Sequence, residues 1–108
     1  MTHERVVVIG PDHPSLPGHF PGHPVIPGVV LLGEVIDTLR RMTGQQVVVT
    51  ALPSVKFASP LSPGEALTIR MEQDEPGRAA FHCHANGRLV ASGSLEFQVN
   101  GQSGADRP

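Results

Sequence analysis

The sequence predicts an α+β domain in which one long helix is wrapped by an antiparallel sheet. Three observations carry this reading: a single stretch with helical periodicity, several short stretches that alternate apolar and polar residues, and turn signals between those stretches. A chain of 108 residues fits one domain, taken as residues 1–99 with a flexible tail over 100–108.

Glu4 to Ile9 reads as the first strand, with a run of β-branched residues. Gly10 to Gly28 follows, with Pro11, Pro14, Pro17, Pro21, Pro24 and Pro27 among its glycines. Neither a helix nor a ladder strand runs through so many fixed φ angles and missing donors. The segment also carries His13, His19, Phe20 and His23, the composition of a functional loop rather than a linker.

Val29 to Met42 is the helix. Leu32, Val35, Ile36, Leu39 and Met42 fall on one face, and the first turn is apolar all round, as in a helix whose start is buried. Arg40 and Arg41 suit its last turn and Gly44 its C-terminal stop.

Sheet follows. Gln46 to Leu52 and Ser54 to Ala58 read as two strands broken by Pro53, and Pro60 to Gly64 as a turn. Leu67, Ile69 and Met71 alternate with Thr68, Arg70 and Glu72. After a turn at Glu75-Pro76-Gly77, Phe81, Cys83 and Ala85 share a face, and Asn86-Gly87 is a hairpin signal. Leu89, Ala91, Gly93, Leu95, Phe97 and Val99 form the inner side of the last strand.

Charge and composition exclude several functions. Eight Lys+Arg against ten Asp+Glu leave a net charge of −2, with no basic stretch to pair with phosphates, so neither nucleic acid nor an anionic membrane is an expected partner. No apolar run is long enough to span a bilayer, and the apolar run after Arg5 is too short for a signal-peptide core. One cysteine, Cys83, forbids an internal disulfide and fits a reducing cytoplasm. Without Trp or Tyr, and with four Phe, the core is thin and aliphatic, which makes a dimer that extends it a reasonable expectation.

Two stretches carry a resemblance. His13 to Leu32 contains Gly18-His19-Phe20-Pro21-Gly22, then Pro24-Val25-Ile26-Pro27-Gly28, then the apolar helix start. Val55-Lys56-Phe57, Pro60 and Pro63-Gly64-Glu65 follow in order. Together they resemble the signature of hotdog-fold β-hydroxyacyl-ACP dehydratases over roughly Val6 to Phe97, and the short chain looks most like the small dehydratase-like proteins of aryl-polyene pigment synthesis.

The resemblance implies a hotdog domain, dimeric, with each active site built from both subunits. It also implies loss of water from a (3R)-hydroxyacyl thioester of acyl carrier protein to give the trans-2-enoyl thioester, with no cofactor and no metal. His19 matches the family's catalytic histidine, and an imidazole suits removal of the C2 proton. Gly28 matches the glycine whose N–H meets the thioester oxygen, with Phe20 and Val29 beside the substrate. The family's acid position, fourteen residues after the histidine, is Gly33 here. Glu34 and Asp37 are the candidate replacements, the first turned about 100° round the helix and the second one turn on. Two other readings stay open: a hotdog thioesterase, and a non-catalytic acyl-ACP binding subunit paired with an active dehydratase. The partners implied are an acyl carrier protein and a second subunit, identical or related. His82 and His84 share a strand face, but no Cys or carboxylate spacing accompanies them as a metal set would require.

Overall fold

The computed structural model describes residues 1–10 and 25–99. The expectations for His13, His19, Phe20, His23 and the tail over 100–108 lie outside the described residues. Five strands and one helix follow in the order β1 (Thr2–Val8), α1 (Gly28–Thr43), β2 (Val47–Phe57), β3 (Ala66–Glu75), β4 (Arg78–Ala85) and β5 (Arg88–Val99). The strands form one sheet in the order β1-β3-β4-β5-β2, with every neighbouring pair antiparallel.

The helix lies on the inner face of this sheet, the hotdog arrangement. Leu31, Val35, Thr38 and Leu39 are its buried residues, facing Leu67, Ile69, Met71, Phe81, Cys83 and Leu95 in one aliphatic core. Burying a Leu or Val side chain of this kind is worth about 1.5–3 kcal/mol, so the alternating strands and the helix stripe hold each other in place. The helix stops where expected: Gly44 takes φ 68° and its N–H donates to the Arg40 carbonyl at 2.9 Å.

Three local expectations are corrected. Pro53 does not divide β2, which runs unbroken as an edge strand. The missing N–H is tolerated because the β2–β5 register shifts between Val49 and Ser54, so that the ladder is already irregular there. In β5 the inner-face pattern does not begin at Leu89. The register shifts between Cys83 and His84, pairing His84 with Leu89 and Cys83 with Ala91. Val90, fully buried, is the extra residue, and its carbonyl turns to accept from Ala58 and Ser59 N–H at 2.8 and 3.3 Å. A one-residue bulge moves Leu89 to the outer face, which alternation alone does not foresee.

The third correction concerns the start of α1. Val29 is 75 % exposed within the single chain, although Leu31 is buried. The stripe facing the core passes through Leu31, Val35, Thr38 and Leu39, while Leu32, Ile36 and Met42 lie half-buried at its flank.

Candidate active site at the start of the helix

The chain enters α1 through Ile26 and Pro27. Ile26 N–H donates to the Leu61 carbonyl at 2.8 Å, which ties this entry to the β2–β3 loop. Pro27 is the N-cap residue, with φ −62° and ψ 146°; no side chain caps the helix and no acidic residue sits in its first turn. The Pro27 carbonyl accepts from Val30 and Leu31 N–H at 3.0 and 3.2 Å. Gly28 and Val29 N–H have no partner among the described residues, as expected for the first donors of a helix. Partial positive charge gathers there and favours an oxygen that becomes anionic.

Gly28 lies directly against Phe57. A Cβ at residue 28 would stand 2.8 Å from the Phe57 Cζ, so a side chain there would have to push the ring aside. The two stretches that carry the sequence resemblance therefore meet twice, at Ile26–Leu61 and at Gly28–Phe57. Phe57 lay inside the quoted motif, but its contact with the helix start gave no signal in the sequence.

Two carboxylates follow on the helix, Glu34 six residues on at about 9 Å along the axis and Asp37 nine residues on at about 13.5 Å. Arg5 Nη1 donates to Glu34 Oε1 at 3.2 Å and Arg5 Nη2 lies 3.3 Å from Asp37 Oδ2. Arg5 Nη1 also donates to the buried Thr38 hydroxyl at 3.3 Å, and that hydroxyl donates to the Glu34 carbonyl at 2.8 Å. Arg41 Nε donates to Asp37 Oδ2 at 3.0 Å. The hydrogen bond from Arg41, together with the nearby charges of Arg41, Arg5 and Arg40, holds the Asp37 carboxyl below the usual carboxylate range. Arg5 is the residue that sequence reasoning missed. Its signal was an inward position in a strand destined to pack against the helix's two acids.

Gly33 is exposed, and among the described residues a Cβ there would meet nothing within 4 Å. Position 33 is thus free to carry a side chain and carries none.

The Pro-Gly-Glu turn serves the scaffold. Glu65 accepts Ser62 N–H at 2.8 Å, Asn86 Nδ2 at 2.6 Å, and both Arg88 amino groups at 2.8 and 3.0 Å. The hydrogen bond from Arg88, helped by that from Ser62, pulls the Glu65 carboxyl down to about 2. Arg88 in turn donates to the Pro60 carbonyl at 2.7 Å, locking the β2–β3 loop to the β4–β5 hairpin. His82 and His84 are exposed on the outer face of the sheet, opposite α1. A surface cleft of about 310 Å³ at the other end of α1, lined by Thr43, Gln73, Phe97 and Val99 among others, contains none of the candidate residues.

Residues 2–94 match the ApeI-like family, described as ApeI dehydratase. The chain belongs to the ApeI-like dehydratase family. It is 28% identical over 110 residues to the 3-hydroxyacyl-[acyl-carrier-protein] dehydratase FabZ of Roseiflexus sp., covering 92% of this chain and 76% of the relative. The FabZ of Herpetosiphon aurantiacus is 31% identical over 100 residues, covering 82% and 70%. Among solved structures, the dehydratase heterocomplex ApeI:P from Xenorhabdus doucetiae superposes with a TM-score of 0.79 at 21% identity, covering 89% of this chain and 86% of that one. The fluoroacetyl-CoA-specific thioesterase FlK superposes with a TM-score of 0.74 at 18% identity, covering 98% and 90%. The family is thus shared with dehydratases, and the ApeI-like chain shares its fold with dehydratases and thioesterases alike. No helix among the described residues is long and apolar enough to cross a membrane.

Proposed function

We propose that the chain is a dehydratase of (3R)-hydroxyacyl thioesters carried by acyl carrier protein. The observation that carries this reading is the start of α1, where Gly28 N–H has no partner among the described residues, in a member of a dehydratase family. The Gly28 N–H polarises the thioester carbonyl, with Phe20 and Val29 beside the acyl group. His19 takes the C2 proton, the C2=C3 bond forms, and the C3–O bond breaks as the hydroxyl leaves with a proton. The resident fields at a helix start stabilise the enolate-like oxygen of that transition state.

The proton for the leaving hydroxyl is the weak point. An acid must hold a proton before it can give one, and Asp37 is held ionised by Arg41 and Arg5 while Glu34 is engaged by Arg5. Dehydration is therefore slow in this chain, with Glu34 or, against the pull of its arginines, Asp37 as the donor. Acyl carrier protein is the substrate-bearing partner, and the second subunit is another copy or a related dehydratase, as in the ApeI:P heterocomplex. A cytoplasmic setting suits the lone buried Cys83, whose thiol is pushed up to about 12 by burial.

One observation favours thioester hydrolysis as the second reading: an ionised helix carboxylate such as Asp37 directs water better than it donates a proton. Mass spectrometry of a 3-hydroxyacyl-ACP incubated with the protein separates the readings. Loss of water supports the dehydratase, release of free acid the thioesterase, and unchanged substrate a binding subunit.

A further inference from the structure

Gly28 is not required for its backbone freedom, since its φ is not among the positive ones. What a side chain there would meet is the ring above it, whose Cζ, Cε1 and Cε2 would lie 2.8, 3.1 and 3.2 Å from a Cβ and would have to shift. Phe57 is 51 % exposed, whereas Phe81 and Phe97 are 0 % and 5 % exposed. An exposed ring on a pliable loop would mean little, but this one stands on fixed backbone. Phe57 pairs with Ala91 in the ladder, the next two N–H groups both donate to the Val90 carbonyl, and the Ser59 hydroxyl donates to the Leu89 carbonyl at 2.6 Å. A half-uncovered aromatic ring on a fixed backbone therefore packs against the residue whose N–H has no partner among the described residues. The ring thus packs on the Cα of the residue whose N–H would receive a carbonyl.

We infer that Phe57 is a specificity-determining residue, the apolar wall that keeps water from the carbonyl carbon of a thioester bound at Gly28, so that elimination wins over hydrolysis. The inference rests on the dehydratase reading. Both reactions begin from the same polarised carbonyl. In elimination the C2 proton passes to the base, C2=C3 forms, C3–O breaks and water departs. In hydrolysis a water oxygen bonds to C1, the C1–S bond breaks, the thiolate takes a proton, and a carboxylic acid remains. The same N–H stabilises the anionic oxygen in either case, so the donor alone does not choose between them. Elimination moreover releases a water close to C1. The outcome depends on whether water has an approach to that carbon, and the ring closes one side with a surface offering it no hydrogen bond.

The test uses the full chain with the 3-hydroxybutyryl thioester of N-acetylcysteamine, and reads free acid against enoyl thioester by mass spectrometry. Wild type should give enoyl product with little enzyme-dependent acid. Phe57→Ala should raise the acid-to-enoyl ratio severalfold by opening that approach to solvent. Phe57→Leu, which restores most of the apolar volume, should bring it back towards wild type, with Phe57→Val between. Should the Ala variant fail to fold by circular dichroism, the order Leu below Val still carries the test. If wild type forms enoyl product and none of the variants changes the ratio, the inference is overturned and the dehydratase reading stands. If wild type forms no enoyl product, the dehydratase reading fails and the inference falls with it.

Discussion

One guanidinium clasps both the side chain and the backbone of a single helix residue: Arg5 Nη1 donates to Glu34 Oε1 at 3.2 Å and to the Glu34 carbonyl at 3.4 Å. β1 is an edge strand, and this cluster is its polar fastening to α1. Arg5 is 19 % exposed and Glu34 29 %, so the bonds count for more than a surface ion pair but less than a buried one. Arg5→Met should lower stability by about 1–2 kcal/mol. Arg5→Lys should recover less than half of this, because an ammonium lacks the fork that spans two partners. Urea denaturation of the three proteins decides it, and an unchanged midpoint for Arg5→Met would refute the fastening.

Acid should loosen the loop lock before it unfolds the core. Glu65 is held at about 2 against an ordinary 4.5, so its pairing with Arg88 stabilises fully above pH 4.5 and is lost as pH falls from 4.5 to 2. Asp37, also lowered, acts in the same direction. Wild type should exceed Glu65→Gln in urea midpoint at pH 7, and the gap should close between pH 4.5 and 2. A gap that stays constant down to pH 2 would contradict the assignment.

Gly33 offers a test of the missing acid. A Cβ there meets nothing within 4 Å among the described residues, so Gly33→Ala should stabilise the helix by about 0.5–1 kcal/mol. Gly33→Asp should raise the dehydration rate, since a positioned acid is worth 10²–10⁴-fold when fully effective, roughly ten-fold or more being expected here. Gly33→Asn should gain nothing, and His19→Ala in either background should abolish turnover. Equal rates for wild type and Gly33→Asp, with acyl-ACP still bound, would favour the binding-subunit reading.

Association is expected along β2. That strand is an edge, and Val48 and Leu52 on it are 47 % and 42 % exposed, close to the range of Phe57 at 51 %. An edge carrying apolar side chains and free ladder groups invites pairing with another strand. Light scattering at micromolar concentration should give about twice the chain mass of 11.4 kDa. A monomer with its full secondary structure would count against it.

The fold was legible because its signals are local. Leu67, Ile69 and Met71 are all fully buried, as their alternation implies, and Asn86 and Gly87 take the positive φ angles that a two-residue hairpin needs. What escaped depends on partners distant in the chain. The Val90 bulge exists because its carbonyl serves Ala58 and Ser59, and no periodicity within β5 reports that. In the candidate site the motif singled out Gly28, while the ring that crowds a side chain there comes from the end of β2. Arg5 likewise became meaningful only once β1 lay beside α1.

The strand order carries a kinetic consequence. β3, β4 and β5 are neighbours both in the chain and in the sheet, joined by turns at Pro76-Gly77 and Asn86-Gly87, so they zip together at little cost in chain entropy. β1 must find β3 across the whole helix and β2, and β2 must skip two strands to reach β5. Such remote pairings slow folding into the millisecond-to-second range typical of sheets with high contact order. The three-stranded meander is therefore expected to form the early nucleus. Gly28 and Phe57, one at the start of the helix and one on a late-joining strand, come into contact only at the end of assembly. Substitutions at the Asn86-Gly87 turn should slow refolding, whereas Arg5→Met, acting at a late-forming contact, should mainly speed unfolding.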